Sequence, residues 1–194
     1  MKIGSHNSMS YLKAKKWYME PFRFAARCQA VSIQTQYEKY GIRLFDIRIK
    51  FNKNGEAMFA HGAMEYECDM DSIFKYLNEV PEPVDCRILL ENKPDQFENL
   101  FILWCQNTKK KYPNIRYFGG RNKYTWKEVY HYKYQGPTFL DKYSSYNVEE
   151  TGKPITGTYL DDWFPFLYAW KHNRENIEKG TDRDYLMIDF VNIQ

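Results

Sequence analysis

The chain has 194 residues, 43% hydrophobic and 27% charged, enough apolar material for one sizeable core and therefore for a single domain over residues 1–194. A net charge of +3 is too small for a dedicated nucleic-acid binder, and no stretch is long and apolar enough to span a bilayer. The N-terminus carries no secretory series of charged, apolar and small residues, so the expectation is a cytoplasmic protein, with secretion left open if the native start was trimmed. In chain order, residues 2–4 read as a very short strand that runs into a polar loop carrying His6 and Asn7. A helix is predicted over 32–40, because Ile33, Tyr37 and Tyr40 share a face and Gly41 follows as a stop. The second strand is 42–51. Its alternation puts Leu44, Asp46, Arg48 and Lys50 on one face and Phe45, Ile47, Ile49 and Phe51 on the other, one ionic and one oily. A turn at 52–55 leads to a third strand over 57–60 that ends at His61-Gly62.

Asp71 is the predicted cap of a helix that buries Ile73, Phe74 and Leu77 and ends before Pro81 and Pro83. The fourth strand, 87–92, again carries a carboxylate near its end, Glu91. Asp95 opens a helix with Phe97, Leu100, Phe101 and Trp104 at a 3.6 period, Glu98 completes a capping box, and Pro113 stops the run. Residues 114–118 and 137–141 are weaker strand candidates on either side of a short helix over 126–131. Asp161 or Asp162 caps a last helix that ends at Gly180, and a final strand over 185–191 holds Asp189 as its lone charge. The four cysteines have no metal-ligand spacing and read as free, mostly buried thiols. The basic runs 13–16 and 109–111 read as solvated faces or a helix C-terminus. Aromatic residues make up 18% of the chain, which suits a packed core and also either a sugar cleft or a lip at a membrane interface.

Strands alternating with helices predict an α/β fold with a parallel sheet and right-handed crossovers. His6, Arg48, His61, Glu91 and Asp189 all fall near the C-terminal ends of their strands. In a closed (β/α) barrel that end is the reactive face, and the last strand lies beside the first, which brings Asp189 against His6. An open sheet makes no such demand. An imidazole with a pKa of about 6.5 can take a proton at neutral pH and a second can give one. A carboxylate on the far nitrogen of the first fixes its tautomer. Two histidines across an arginine suit phosphodiester cleavage, since the always-charged fork of Arg48 can hold phosphate oxygens. His131 and His172, in Tyr-rich and charged helical contexts, read as structural or exposed.

Ser5-His6-Asn7-Ser8, Cys28-Gln29 leading to Ser32-Ile33-Gln34, the run Tyr40 to Arg48 with its Asp46-Ile47-Arg48, and Ala60-His61-Gly62 occur in the order and at the gaps of the catalytic half of phosphatidylinositol-specific phospholipase C. Leu186-Met187-Ile188-Asp189-Phe190 is similar to that family's last catalytic strand. The resemblance covers about the first half of the chain and its terminal strand. It implies a distorted or trimmed TIM-type barrel, the fold of the phospholipase-C-like phosphodiesterases, and a phosphoric diester hydrolase or lyase. In such enzymes a substrate hydroxyl attacks phosphorus, expels an alcohol and leaves a cyclic phosphate. Carried over by position, His6 is the general base paired with Asp189, His61 the general acid and Arg48 the phosphate clamp. Asn7, Asp46, Glu91 and Lys93 are substrate-binding or supporting residues.

The chain departs from the bacterial pattern at Asn7, which follows His6 as in the calcium-dependent eukaryotic enzymes, and Glu91 resembles one of their ligands. Asn7, Asp46 and Glu91 therefore make an alternative calcium site. Arg48 stands where those enzymes need a carboxylate, and its charge opposes a nearby cation, so the favoured reading has no cofactor. The expected partners are a lipid or glycan phosphodiester and a transient membrane surface, and no nucleic acid. Because the chain is short for the family, trimmed helices or strands are expected. Two alternatives stand beside this reading. One is a calcium-dependent glycerophosphodiester phosphodiesterase, disfavoured because Phe45-Asp46-Ile47-Arg48 replaces the expected Glu-x-Asp pair. The other is a non-catalytic phosphate-sugar binding module on the same fold.

Overall fold

The computed structural model describes residues 2–92, 94–118, 146–147, 153–154, 164–179 and 185–193. Lys93, the helix expected over 126–131 with His131, the strand expected over 137–141, the caps at Asp161 and Asp162 and the stop at Gly180 lie outside the described residues, as does the side chain of Asp95.

The chain opens with β1 (Lys2–Ser5), followed by a 3-10 turn (Trp17–Phe22) that runs into a single helical turn, α1 (Arg23–Ala26). Next come α2 (Ile33–Glu38), β2 (Leu44–Phe51), β3 (Ala57–His61), β4 (Met64–Glu65), α3 (Met70–Glu79) and β5 (Asp85–Leu90). The remainder is α4 (Pro94–Lys111), β6 (Arg116–Phe118), the small pair β7 (Tyr146–Asn147) and β8 (Lys153–Pro154), α5 (Pro165–Lys179) and β9 (Tyr185–Ile188). Ser32 caps α2 by accepting from the Thr35 amide. The cap of α3 is Asp69, which accepts from the Asp71 amide at 3.0 Å. Asp71, the cap expected from sequence, sits inside the first turn, and its carboxylate bonds Lys111 and Tyr112 at the end of α4.

Every crossover pairing is parallel: β1 with β2, β1 with β9, β2 with β5 and β5 with β6. The last strand thus lies beside the first, Lys2 opposite Tyr185 through Ser5 opposite Ile188. The barrel expected from sequence is not closed among the described residues, where β6 pairs only with β5. The all-parallel expectation is corrected at β3, which runs antiparallel to β2 and then to β4. Only five residues link β2 to β3, far fewer than a parallel crossover needs. Gly55 takes φ +80 in that turn, and the Asn52 side chain accepts from the amides of Asn54 and Glu56.

The oily face of β2 (Phe45, Ile47, Ile49, Phe51) joins Cys86, Ile88 and Leu90 of β5 in the main core. Helices α2, α3 and α4 close over it with Ile33 and Tyr37, Phe74 and Leu77, and Phe101 and Cys105. Phe74 anchors this layer, its ring 6.1 Å from that of Phe59 and 5.8 Å from those of Trp104 and Tyr112. Most of the ionic face is buried too: Asp46 and Arg48 are both buried, and only Lys50 is half-buried. At Gly4, opposite Leu44, a Cβ would stand 2.8 Å from Leu44 Cδ2, so a glycine is what lets β1 lie tight against β2.

Candidate active site

Strand register assembles the polar layer. Gly4 pairs with both Leu44 and Met187, and His6, Asp46 and Asp189 each follow two residues later. Arg87 lies opposite Asp46 on β5. His6 Nδ1 is 2.6 Å from Asp189 Oδ1, and His6 Nε2 is 2.7 Å from Arg48 Nη2. A guanidinium can only donate, so Nε2 accepts and Nδ1 carries the ring proton that Asp189 receives. Arg48 also gives Nε–H to Asp46 Oδ2 at 3.1 Å and Nη1–H to Glu91 Oε1 at 3.1 Å. Glu91 in turn accepts from the Gly62 amide at 3.1 Å, which ties Arg48 to the loop that follows His61. Burial alone would push the Asp46 carboxyl up. The charges of Arg48 and Arg87, with His6 and the Asn7 amide, instead hold it down at about 2.

His61 arrives from the antiparallel strand. Residues Ile49 to Phe51 of β2 pair with Phe59 to Ala57 of β3, so the hairpin reaches past the sheet and folds back to deliver His61 beside Arg48. Its ring centroid lies 6.2 Å from that of His6, with planes at 82°. His61 Nδ1 donates to the Ala26 carbonyl at 2.9 Å, and the Tyr66 hydroxyl donates to the same oxygen at 3.4 Å. The other nitrogen, Nε2, is therefore the atom left for chemistry. Burial first, and then the Arg48 charge, lower this imidazole to about 4. His172, expected to be structural or exposed, is half-buried and packs on Tyr168 with ring centroids 4.8 Å apart.

Two backbone outliers sit directly after the dyad: Asn7 at φ +41 and Phe190 at φ +47. For a phenylalanine this region is costly and must be imposed by its surroundings. The surroundings here are buried amides that the sequence reading gave no role. Gln29 donates to the carbonyls of His6 and Ile188, both at 3.0 Å, and accepts from the Val191 amide at 3.1 Å. From α5, Asn173 donates to the carbonyls of Asp189 at 2.8 Å and Ile193 at 2.7 Å. Gln36 accepts from Ser5 Oγ at 2.6 Å and donates to the Ser8 carbonyl at 3.0 Å. The signal for Gln36 was its place on the apolar side of α2 between Ile33 and Tyr37. For Arg87 it was a cation among Cys86 and Ile88 to Leu90, all buried. Gln29 stood in the Cys28-Gln29 motif, which marked the position but not its bonds, and Asn173 lies outside any such pattern.

Asn7 gives its amide to Asp46 Oδ2 at 3.0 Å. Its side chain is fully buried, and neither Oδ1 nor Nδ2 has a hydrogen-bond partner among the described residues. Of the alternative calcium ligands, Asp46 and Glu91 are both bonded to the Arg48 guanidinium, so the cation their charges call for is already there.

The described residues define an α/β protein with an Asp-His-Arg chain at the carboxyl ends of the parallel strands of a mixed sheet and a second histidine facing it. No family model and no curated protein matches this chain. Among solved structures it is similar to the phosphatidylinositol-specific phospholipase C from Listeria monocytogenes, at 24% identity and a TM-score of 0.47, over 66% of this chain and 47% of that one. It is also similar to the phosphatidylinositol-specific phospholipase C from S. aureus, at 23% identity and a TM-score of 0.44, over 66% of this chain and 44% of that one. A variant of the S. aureus enzyme matches at 24% identity and a TM-score of 0.45, over 66% and 44% of the two chains. The chain thus spans about half the length of the solved structures it matches.

Proposed function

We propose that this chain is a phosphodiesterase that cleaves a lipid or glycan phosphodiester bearing a neighbouring hydroxyl, by way of a cyclic phosphate and without a metal ion. The reading rests on one arrangement: an imidazole held by Asp189 at Nδ1 and by Arg48 at Nε2, with a second imidazole 6.2 Å across from it. In the resting site Arg48 caps the Nε2 lone pair. A bound phosphate that takes over this arm of the guanidinium frees Nε2 to remove the hydroxyl proton, and Asp189 stabilises the imidazolium that forms. The oxygen attacks phosphorus, Arg48 offsets the charge on the non-bridging oxygens, and His61 protonates the departing oxygen. Asp46 and Glu91 hold the guanidinium, and the buried side-chain amide of Asn7, directly after His6, has no hydrogen-bond partner among the described residues, so a substrate oxygen that reaches it would find a donor. Metal independence is supported by that same guanidinium, whose charge fills the place between the two carboxylates.

A membrane partner is supported by the rim. Trp17, Phe22 and Phe24 on the first helical turns and Phe164, Phe166 and Trp170 around α5 are exposed. Phe24 stacks on Phe164 with centroids 6.2 Å apart, and Phe166 meets Phe190, the residue after Asp189, at 5.4 Å. Exposed aromatics clustered beside a polar site suit contact with a lipid surface. Phosphorus NMR on a panel of phosphodiesters, with and without chelator, tests the whole. A cyclic phosphate that still forms under chelation is expected. Cleavage that stops on chelation points to the calcium-dependent alternative, and ligand binding without any cleavage points to a binding module.

A further inference from the structure

We infer that Cys28, His6 and Asp189 form a site for a soft divalent cation of the zinc class, and that filling it switches off the base of the proposed reaction. The site itself is independent of that reaction, whereas the switch rests on it. The Cys28 thiol, an imidazole nitrogen of His6 and a carboxylate oxygen of Asp189 all lie within 4.8 Å of one another, and all three residues are buried. Tetrahedral zinc holds sulfur, nitrogen and oxygen ligands roughly 3.3–3.6 Å apart, so the thiol closes in by about an ångström at most while the His6–Asp189 pair, 2.6 Å apart, opens to admit the ion, with water as the fourth ligand. The backbone keeps the three together. The Phe190 amide donates to the Cys28 carbonyl at 2.6 Å, the Cys28 amide donates to Ser10 Oγ at 2.9 Å, and neighbouring Gln29 bonds the His6 and Ile188 carbonyls. A thiolate, an imidazole and a single carboxylate select zinc or cadmium over calcium, which takes six to eight oxygens.

Arg48 does not lie between these ligands, as it does between the calcium carboxylates, although metal on Nδ1 requires its arm to leave Nε2. It meets His6 at Nε2, on the other side of the ring, and its charge is balanced by Asp46 and Glu91. The proton balance explains the inhibition. Metal on Nδ1 displaces the proton that Asp189 receives, and the neutral ring then carries its proton on Nε2. The thiol proton leaves to solvent, one released per metal bound. Nε2 then has no lone pair with which to take a substrate proton, and its N–H faces another donor, the Arg48 guanidinium.

Cadmium is the probe for the site, because a cadmium–thiolate bond has an ultraviolet charge-transfer band that needs no substrate. One equivalent should raise this band in the unaltered protein and in Cys68→Ala, and not in Cys28→Ala. No band in the unaltered protein, or the same band in Cys28→Ala, overturns the site. In the cleavage assay zinc should inhibit and a chelator should restore the rate, and Cys28→Ala should need ~10-fold more zinc or greater. A cadmium band without inhibition overturns the switch. A band in a protein that cleaves no phosphodiester leaves the site standing and rejects the proposed function.

Discussion

His61 must hold a proton to serve as the acid of the proposed reaction, yet burial and Arg48 bring its imidazole down to about 4 in the unliganded site. A bound phosphodiester reverses the second of these causes, because its negative charge neutralises Arg48 and favours the imidazolium. The alkaline limb set by His61 should therefore lie at higher pH in kcat, which reports the complex, than in kcat/KM, which reports the free protein. Coincident limbs in pH–rate profiles would argue against His61 as the acid. His61→Ala should lose most of its rate with an ordinary alcohol leaving group and keep much more with an activated one. Asp46 gives a stability counterpart. Its folded pKa of about 2 lies below the unfolded value of about 3.9, so its contribution is complete above the unfolded value and is lost as pH falls toward 2. A shift of roughly two units corresponds to about 2–3 kcal/mol. Asp46→Asn should be less stable than the unaltered protein by at least that much at pH 7, with the gap closing in acid, as followed by urea denaturation.

At the scale of elements, the dyad depends on how β1 and β9 are joined beyond their last ladder bonds. Gln29 bridges the His6 and Ile188 carbonyls and the Val191 amide, which spans both strand ends. Gln29→Met keeps the length of the side chain and removes all three bonds, at about 1–3 kcal/mol for a backbone group left with no other partner, whereas the Ile188 carbonyl keeps the His6 amide. The expected result is a lower denaturation midpoint together with a fall in kcat larger than the change in KM, measured on the fraction that remains folded. A fall in stability with kcat unchanged would show Gln29 to be structural alone. The β2–β3 hairpin has the parallel role for His61: a short turn carries the chain past the sheet and back, which no crossover helix in its place could do.

For the whole molecule, the exposed aromatics of the first helical turns and of α5 meet at the Phe24–Phe164 stack, and Ala26 at the end of α1 holds His61. Trp17, 85% exposed, should insert into an anionic or inositol-lipid vesicle, and Trp17→Ala should weaken partitioning about tenfold if most of the ring is buried. Intrinsic fluorescence that neither shifts nor gains intensity with vesicles would reject membrane contact. Among the described residues no helix is long and apolar enough to cross a membrane.

What the amino-acid order determined by itself was local. Alternation in β2 marked Asp46 and Arg48, periodicity placed the faces of α3 and α4, and the placing of the histidines and Asp189 near strand ends named the residues that meet. Folding decided what depends on distance across the chain. His6 and Asp189 are 183 residues apart, and only the parallel pairing of β1 with β9 puts a proton between them. The direction of β3, the cap at Asp69 and the bridging by Gln29 and Asn173 escaped the sequence because each is fixed by which strand edge or backbone group is left unpaired nearby. A buried amide satisfies whatever carbonyl tertiary packing brings to it, and no periodicity in its own neighbourhood records that partner.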